Sequence, residues 1–175
     1  MSRGKSRKTS RSRRTEATDT AARLAEGVAC HQLGQLEKAE AIYCQVLEAE
    51  PDSPGALHYL GVVRLQSRRF DDAAGLIERS VAVNPDDANS LNDLGQAYES
   101  LGRPNDAAGA YRRALAVDPG SVAAHNNLGN VLGGQGKTAE AITCYRRALE
   151  TEPNDMEVLS NLGGALSAAG ETAEA

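Results

Sequence analysis

Proline recurs with a fixed period. Pro51, Pro85, Pro119 and Pro153 stand 34 residues apart, in similar phrases: Glu-Ala-Glu-Pro, Ala-Val-Asn-Pro, Ala-Val-Asp-Pro and Glu-Thr-Glu-Pro. Gly27, Gly61, Gly95, Gly129 and Gly163 keep the same period, as do Ala39, Ala73, Ala107, Ala141 and Ala175. Three residue types held in one register define a unit that is built over and over. One such unit cannot bury its own apolar stripe, so units stack.

Each unit reads as two helices. The first carries Leu-Gly after a polar start, as in Asn92-Asp93-Leu94-Gly95 and Asn126-Asn127-Leu128-Gly129. It ends near Gly34, Gly102, Gly136 or Gly170, which suits a helix end because Gly takes positive φ at little cost. Arg68 breaks this rule in the second unit. The second helix has apolar residues at helical spacing, such as Ala107, Ala110, Tyr111, Ala114 and Leu115, and Ala141, Ile142, Tyr145, Ala148 and Leu149. Proline then stops it. Small Gly and Ala mark where paired helices cross, while Tyr43, Tyr111 and Tyr145 bridge one unit to the next. Aromatics make up only 3% of the 175 residues, with no Trp, so the core must be Ala, Leu and Val.

These residues resemble the tetratricopeptide repeat (TPR) family: Leu-Gly in the first helix, Ala then an aromatic in the second, Pro at the end. The resemblance covers roughly residues 20–175. The family's Trp position is held by Arg23, Leu57, Leu91, His125 and Leu159, and Cys30 and Arg64 stand where Tyr or Leu is usual. It implies an all-α, right-handed superhelical solenoid of helical hairpins with four full repeats, at 20–53, 54–87, 88–121 and 122–155. A partial fifth spans 156–175. Its second helix has only just begun at Ala175, so the array is expected either to continue or to end on an apolar face that self-associates or docks a partner.

The resemblance also implies that the first helices line a concave groove for a peptide or protein segment. Leu24, Val28, His31, His58, Tyr59, Val62 and Gln66 would face it in the first two units. Asn89, Asn92, Asp93, Gln96 and Glu99 follow in the third, Asn126, Asn127 and Asn130 in the fourth, and Glu157, Ser160 and Asn161 in the fifth. Tyr59, Asn89, Asn92, Asp93, Gln96, Asn126, Asn127, Asn130 and Asn161 are the candidate site. Asn is a poor helix former, so matched Asn residues need a reason. An amide both donates and accepts, as a peptide backbone does. Asn127 and Asn161, one period apart with Asp93 in register before them, resemble the asparagine ladder of O-linked N-acetylglucosamine transferases. The alternative is that these amides solvate or cap the helices, or join neighbouring units. A groove that clamps a C-terminal carboxylate is not matched, because Lys38 and Lys137 are the only lysines after the first 15 residues.

Those first 15 residues hold seven bases, from Arg3 to Arg14, and no acid; the remainder carries 12 bases against 24 acids. Residues 1–18 are expected to be a disordered tail, being rich in Ser and Thr and almost without apolar residues. The tail offers a weak anionic contact, to nucleic acid or a membrane surface, a targeting signal, a solubilising extension, or a weak internal lid against the acidic body.

No apolar run reaches the roughly 18 residues of a membrane span, and no apolar segment of an export signal follows the basic start. Three cysteines without CxxC favour a reducing compartment over a disulfide framework or zinc site. A cytoplasmic location is therefore expected. Gly133-Gly134-Gln135-Gly136-Lys137-Thr138 has Val131 where a P-loop needs its first Gly, and follows a helix rather than a strand. His31, His58 and His125 share no metal-ligand spacing. No catalytic constellation, metal site or cofactor site is found. The chain is expected to be a non-enzymatic interaction scaffold, or alternatively the recognition arm of a larger enzyme such as an O-linked N-acetylglucosamine transferase-like glycosyltransferase.

Overall fold

The computed structural model describes the backbone of residues 5–170 and the side chains of residues 19–170. Among the described residues it forms nine α-helices: α1 (Lys5–Gln32), α2 (Leu36–Ala49), α3 (Pro54–Gln66), α4 (Phe70–Val83), α5 (Ala88–Ser100), α6 (Pro104–Val117), α7 (Val122–Gly134), α8 (Thr138–Thr151) and α9 (Met156–Ala169). This is the all-α hairpin repeat expected from the 34-residue period, with four hairpins and the first helix of a fifth. The helices group into two compact units, α1–α4 and α5–α9.

Of the basic segment 1–18, residues 1–4 lie outside the described residues, and so do the side chains of 5–18. From Lys5 the backbone belongs to α1. Arg and Lys are good helix formers, and a helix already held by packing extends at little cost. In the same helix Thr20 is buried. Ala175, the last member of the alanine series, also lies outside the described residues.

Short polar devices set the helix limits. Asp87 caps α5 by accepting from Asn89 N, Ser121 caps α7 from Ala124 N, and Asp155 caps α9 from Glu157 N and Val158 N. Each such oxygen satisfies a backbone donor that the first turn leaves without a partner. Asp71 and Asp72 sit in the first turn of α4, where negative charge favours the helix dipole, and Arg69 Nε donates to Asp72 at 2.7 Å. Gly34, Gly102, Gly136 and Gly170 all have φ between +68° and +78°, and Arg68 takes the same left-handed conformation at φ +59°. The Gly133–Thr138 segment accordingly runs from the end of α7 through the turn to the first residue of α8.

The hairpins close on a repeated contact. A Cβ on Gly129 would lie 2.5 Å from Tyr145 Cε1, and one on Gly27 would lie 2.6 Å from Tyr43 Cε1. Gly95 meets Tyr111 and Gly61 meets Ile77 in the same way. At Gly27, Gly95 and Gly129 a tyrosine ring of the second helix fills the space where the first helix has no side chain, and at Gly61 Ile77 does so. Ala39, Ala73, Ala107 and Ala141 beside these contacts are fully buried. The same large residues reach onward: Tyr111 shares a core with Leu128, Val131 and Leu132, and Tyr43 shares one with Leu60 and Val63. Burial of this surface, at about 25 cal/mol per Å² of apolar area, is the main stabilising term.

Candidate functional site

In the α5–α9 unit, the first helices of successive repeats are linked by amide side chains. Asn127 Nδ2 on α7 donates to Asn92 Oδ1 on α5 at 3.1 Å. Asn161 Nδ2 on α9 donates to Asn126 Oδ1 on α7 at 2.9 Å. Each accepting amide passes a hydrogen on to a carboxylate. Asn92 Nδ2 donates to Asp93 Oδ1 at 3.4 Å, and Asn126 Nδ2 donates to Glu157 Oε1 at 2.8 Å. The result is two parallel relays, Asn127 to Asn92 to Asp93 and Asn161 to Asn126 to Glu157. In each, the middle amide accepts on oxygen and donates on nitrogen, which fixes its orientation.

Burial follows position in the relay. Asn126 is 6% exposed, while Asn92, Asp93, Asn127 and Asn161 are half-buried. Asn89, Gln96 and Asn130 are exposed. Asn130 has a separate task, since Tyr145 Oη donates to its Oδ1 at 2.8 Å. Tyr111 Oη likewise donates to Glu99. The structure therefore brings Asn92, Asp93, Asn126, Asn127 and Asn161 together on one polar face of α5, α7 and α9, with Asn89, Gln96 and Asn130 on the same helices.

The linked residues are 35 apart, not 34. Asn127 and Asn161, matched in the sequence, do not bond to each other; each bonds to the residue that precedes its own equivalent one repeat back. Glu157 is part of a relay, and its position in the fifth unit was the only sequence sign of that.

Tyr59 belongs to the α1–α4 unit. Its ring stacks on Tyr43 with centroids 5.8 Å apart, and His58 lies against it at 5.2 Å. His31 Nε2 donates to Gln66 Oε1 at 3.0 Å, the same 35-residue link between first helices. The first helices of this unit thus present rings and aliphatic residues where the other unit presents amides.

Cys30, Cys44 and Cys144 are half-buried. Burial pushes the Cys44 and Cys144 thiols up, away from the reactive thiolate. His125 donates Nε2–H to the Pro119 carbonyl at 3.0 Å. Among the described residues no three His, Cys, Asp or Glu side chains gather to hold a metal ion, and no helix is long and apolar enough to cross a membrane.

Comparison with known proteins agrees with this architecture. The family described as cilia and flagella-associated protein 70 C-terminal domain, a TPR domain, matches residues 14–157. No curated protein matches at the level of sequence. Among solved structures, MamA superposes with a TM-score of 0.78 at 24% identity, covering 85% of this chain and 86% of that one. PilF of Pseudomonas aeruginosa gives 0.83 at 22% identity, with 91% and 73% covered. YrrB, described as a TPR protein with an unusual peptide-binding site, gives 0.73 at 19% identity, with 87% and 78% covered. At these identities the likeness is one of fold.

Proposed function

We propose, for a chain that belongs to the TPR family of the cilia and flagella-associated protein 70 C-terminal domain, a scaffold that holds an extended protein segment by its backbone. TPR domains are in general protein-interaction modules. The finer reading concerns the face of α5, α7 and α9, and one observation carries it: the two relays start from Asn127 and Asn161, one period apart.

Each terminal amide spends one N–H on its neighbour. Its second N–H and its carbonyl oxygen form a donor and acceptor pair, which is what one residue of extended backbone offers in return. The inner amides Asn92 and Asn126 serve by holding the outer ones still. Preorganised amides lose little side-chain entropy on binding, so more of each bond appears as affinity. YrrB, whose description names a peptide-binding site, is compatible with this use of the fold.

The test starts from peptides selected on the full chain from a random library. Asn127→Ala with Asn161→Ala should weaken every such peptide by about tenfold or more, given about 1 kcal/mol for each lost hydrogen bond. Helicity and melting should be compared in parallel. Unchanged affinity in a folded double variant would refute the reading.

A further inference from the structure

We infer that the outer face of α9 docks a helix of a partner protein, one that carries alanine and, four residues later, a tyrosine or a comparably large apolar side chain. The inference concerns a different surface from the amide face and does not rest on it.

The face is a repeated site left open. Gly27, Gly61, Gly95 and Gly129 are buried, each under a large side chain of the helix that follows: Tyr43, Ile77, Tyr111 and Tyr145. Gly163 keeps the same register on α9, yet it is half-buried, and a Cβ there would meet nothing within 4 Å among the described residues. Leu159 stands one turn before it on the same stripe. Its equivalents Leu57 and Leu91 are fully buried, whereas Leu159 is 39% exposed and Met156, at the head of the stripe, 77%. Another side of α9 is already used, since Val158, Leu162 and Ala165 join the core that holds Tyr145 and Ala148.

The four filled copies define what the open one accepts. In each, a buried Ala39, Ala73, Ala107 or Ala141 comes four residues before the large side chain, and a buried Val46, Ser80, Ala114 or Ala148 comes three residues after it. That spacing is one face of a helix of about two turns. The match is one of shape and not of charge: Glu157 is the sole charged residue of α9, and it accepts from Asn126 on α7. A second copy of this chain has no such helix to give among its described residues, because Tyr43, Ile77, Tyr111 and Tyr145 are each seated on a glycine of their own chain. A partner helix laid along α9 would cover Met156 and Leu159 and set its large side chain on Gly163, which is the burial that supplies affinity in helix-in-groove recognition.

The experiment uses the full chain of 175 residues and a labelled synthetic peptide with the sequence of residues 138–151, read by fluorescence anisotropy. A staple across positions 143 and 147, both exposed in α8, holds the peptide helical. The peptide should bind, and Tyr145→Ala within it should weaken binding by about tenfold or more. Gly163→Ala in the chain should weaken the unaltered peptide by about tenfold, because the added Cβ takes the space of the ring, while thermal melting shows the chain still folded. Gly164→Ala makes the same change one residue on, at an exposed position, and should leave the affinity within about twofold.

No binding of the stapled peptide would overturn the inference. So would binding that Gly163→Ala leaves unchanged, which would place the peptide on a different surface. A concentration-dependent dimer in sedimentation that Gly163→Ala abolishes would make a second copy the occupant and overturn it as well.

Discussion

Tyr145 Oη donates to Asn130 Oδ1 at 2.8 Å, tying the second helix of its repeat to the first. Tyr111 does the same with Glu99. Tyr43 cannot. The residues at the corresponding positions in its own repeat are Val28, which has no acceptor, and His31, whose Nε2–H goes to Gln66. The Tyr43 hydroxyl is buried with no partner among the described residues. A buried hydroxyl without a partner carries its full desolvation cost, whereas a bonded one recovers it. Tyr145→Phe should therefore lower stability by about 1 kcal/mol, while Tyr43→Phe should leave it unchanged or raise it by about the same amount. Urea midpoints followed by helical circular dichroism would show this, and an equal loss in both variants would refute it.

Two glycines at the same place in the repeat should respond oppositely to alanine. A Cβ on Gly129 would meet Tyr145 at 2.5 Å, but one on Gly163 would meet nothing within 4 Å. Gly129→Ala must push the Tyr145 ring out of a packed core and should cost about 1–3 kcal/mol. Gly163→Ala should instead gain about 0.5–1 kcal/mol from helix propensity. Thermal melts of the two variants decide the matter; a stabilised Gly129→Ala would show that the close contact does not hold the hairpin.

The helices, their crossing points and the turns were legible because each depends on one residue type at one position, repeated four or five times. Gly against Tyr, Ala at the crossing and Pro at the stop all have local physical causes. The amide links were not legible in detail. Here each amide bonds not to its own equivalent but to the residue beside it. It meets a different position on the next helix, which is why Asn92 finds Asn127 and Asn126 finds Asn161. A ladder drawn from the 34-residue period matches equivalent residues and misses the one-residue stagger. It also places Asn126 among exposed groove residues, although packing between α7 and α9 buries it.

Arg68 stands where the other repeats have glycine, at φ +59°. That conformation crowds Cβ against the backbone and costs an ordinary residue about 1–2 kcal/mol. Arg68→Gly should remove the strain and lose part of the gain to the greater freedom of glycine in the unfolded chain. A net stabilisation of roughly 0.5–1 kcal/mol is expected. Arg68→Ala, which keeps the Cβ, should give none of it, so equal melting of the Gly and Ala variants would assign the effect to the arginine side chain instead.

The buried tyrosines set an alkaline limit. Burial, then the neighbouring Tyr59 and Cys30, push the Tyr43 phenol up to about 12. Tyr111 is raised further, by burial first and then by its hydrogen bond to Glu99 and that carboxylate's charge, and burial raises Tyr145 as well. In the unfolded chain a phenol ionises near pH 10. Above that pH the unfolded state releases protons that the folded state keeps, so unfolding becomes more favourable as pH rises. The contribution of Tyr43 is complete below about pH 10 and is lost as pH climbs through about 12. Tyr43→Phe removes one such group, so its urea midpoint should fall less steeply between about pH 9 and 11 than that of the parent chain. Absorbance at about 295 nm should show the missing phenolate as lost amplitude near pH 12 rather than near pH 10. Parallel midpoints in the two proteins, or amplitude lost near pH 10, would mean that Tyr43 ionises as a solvated phenol does.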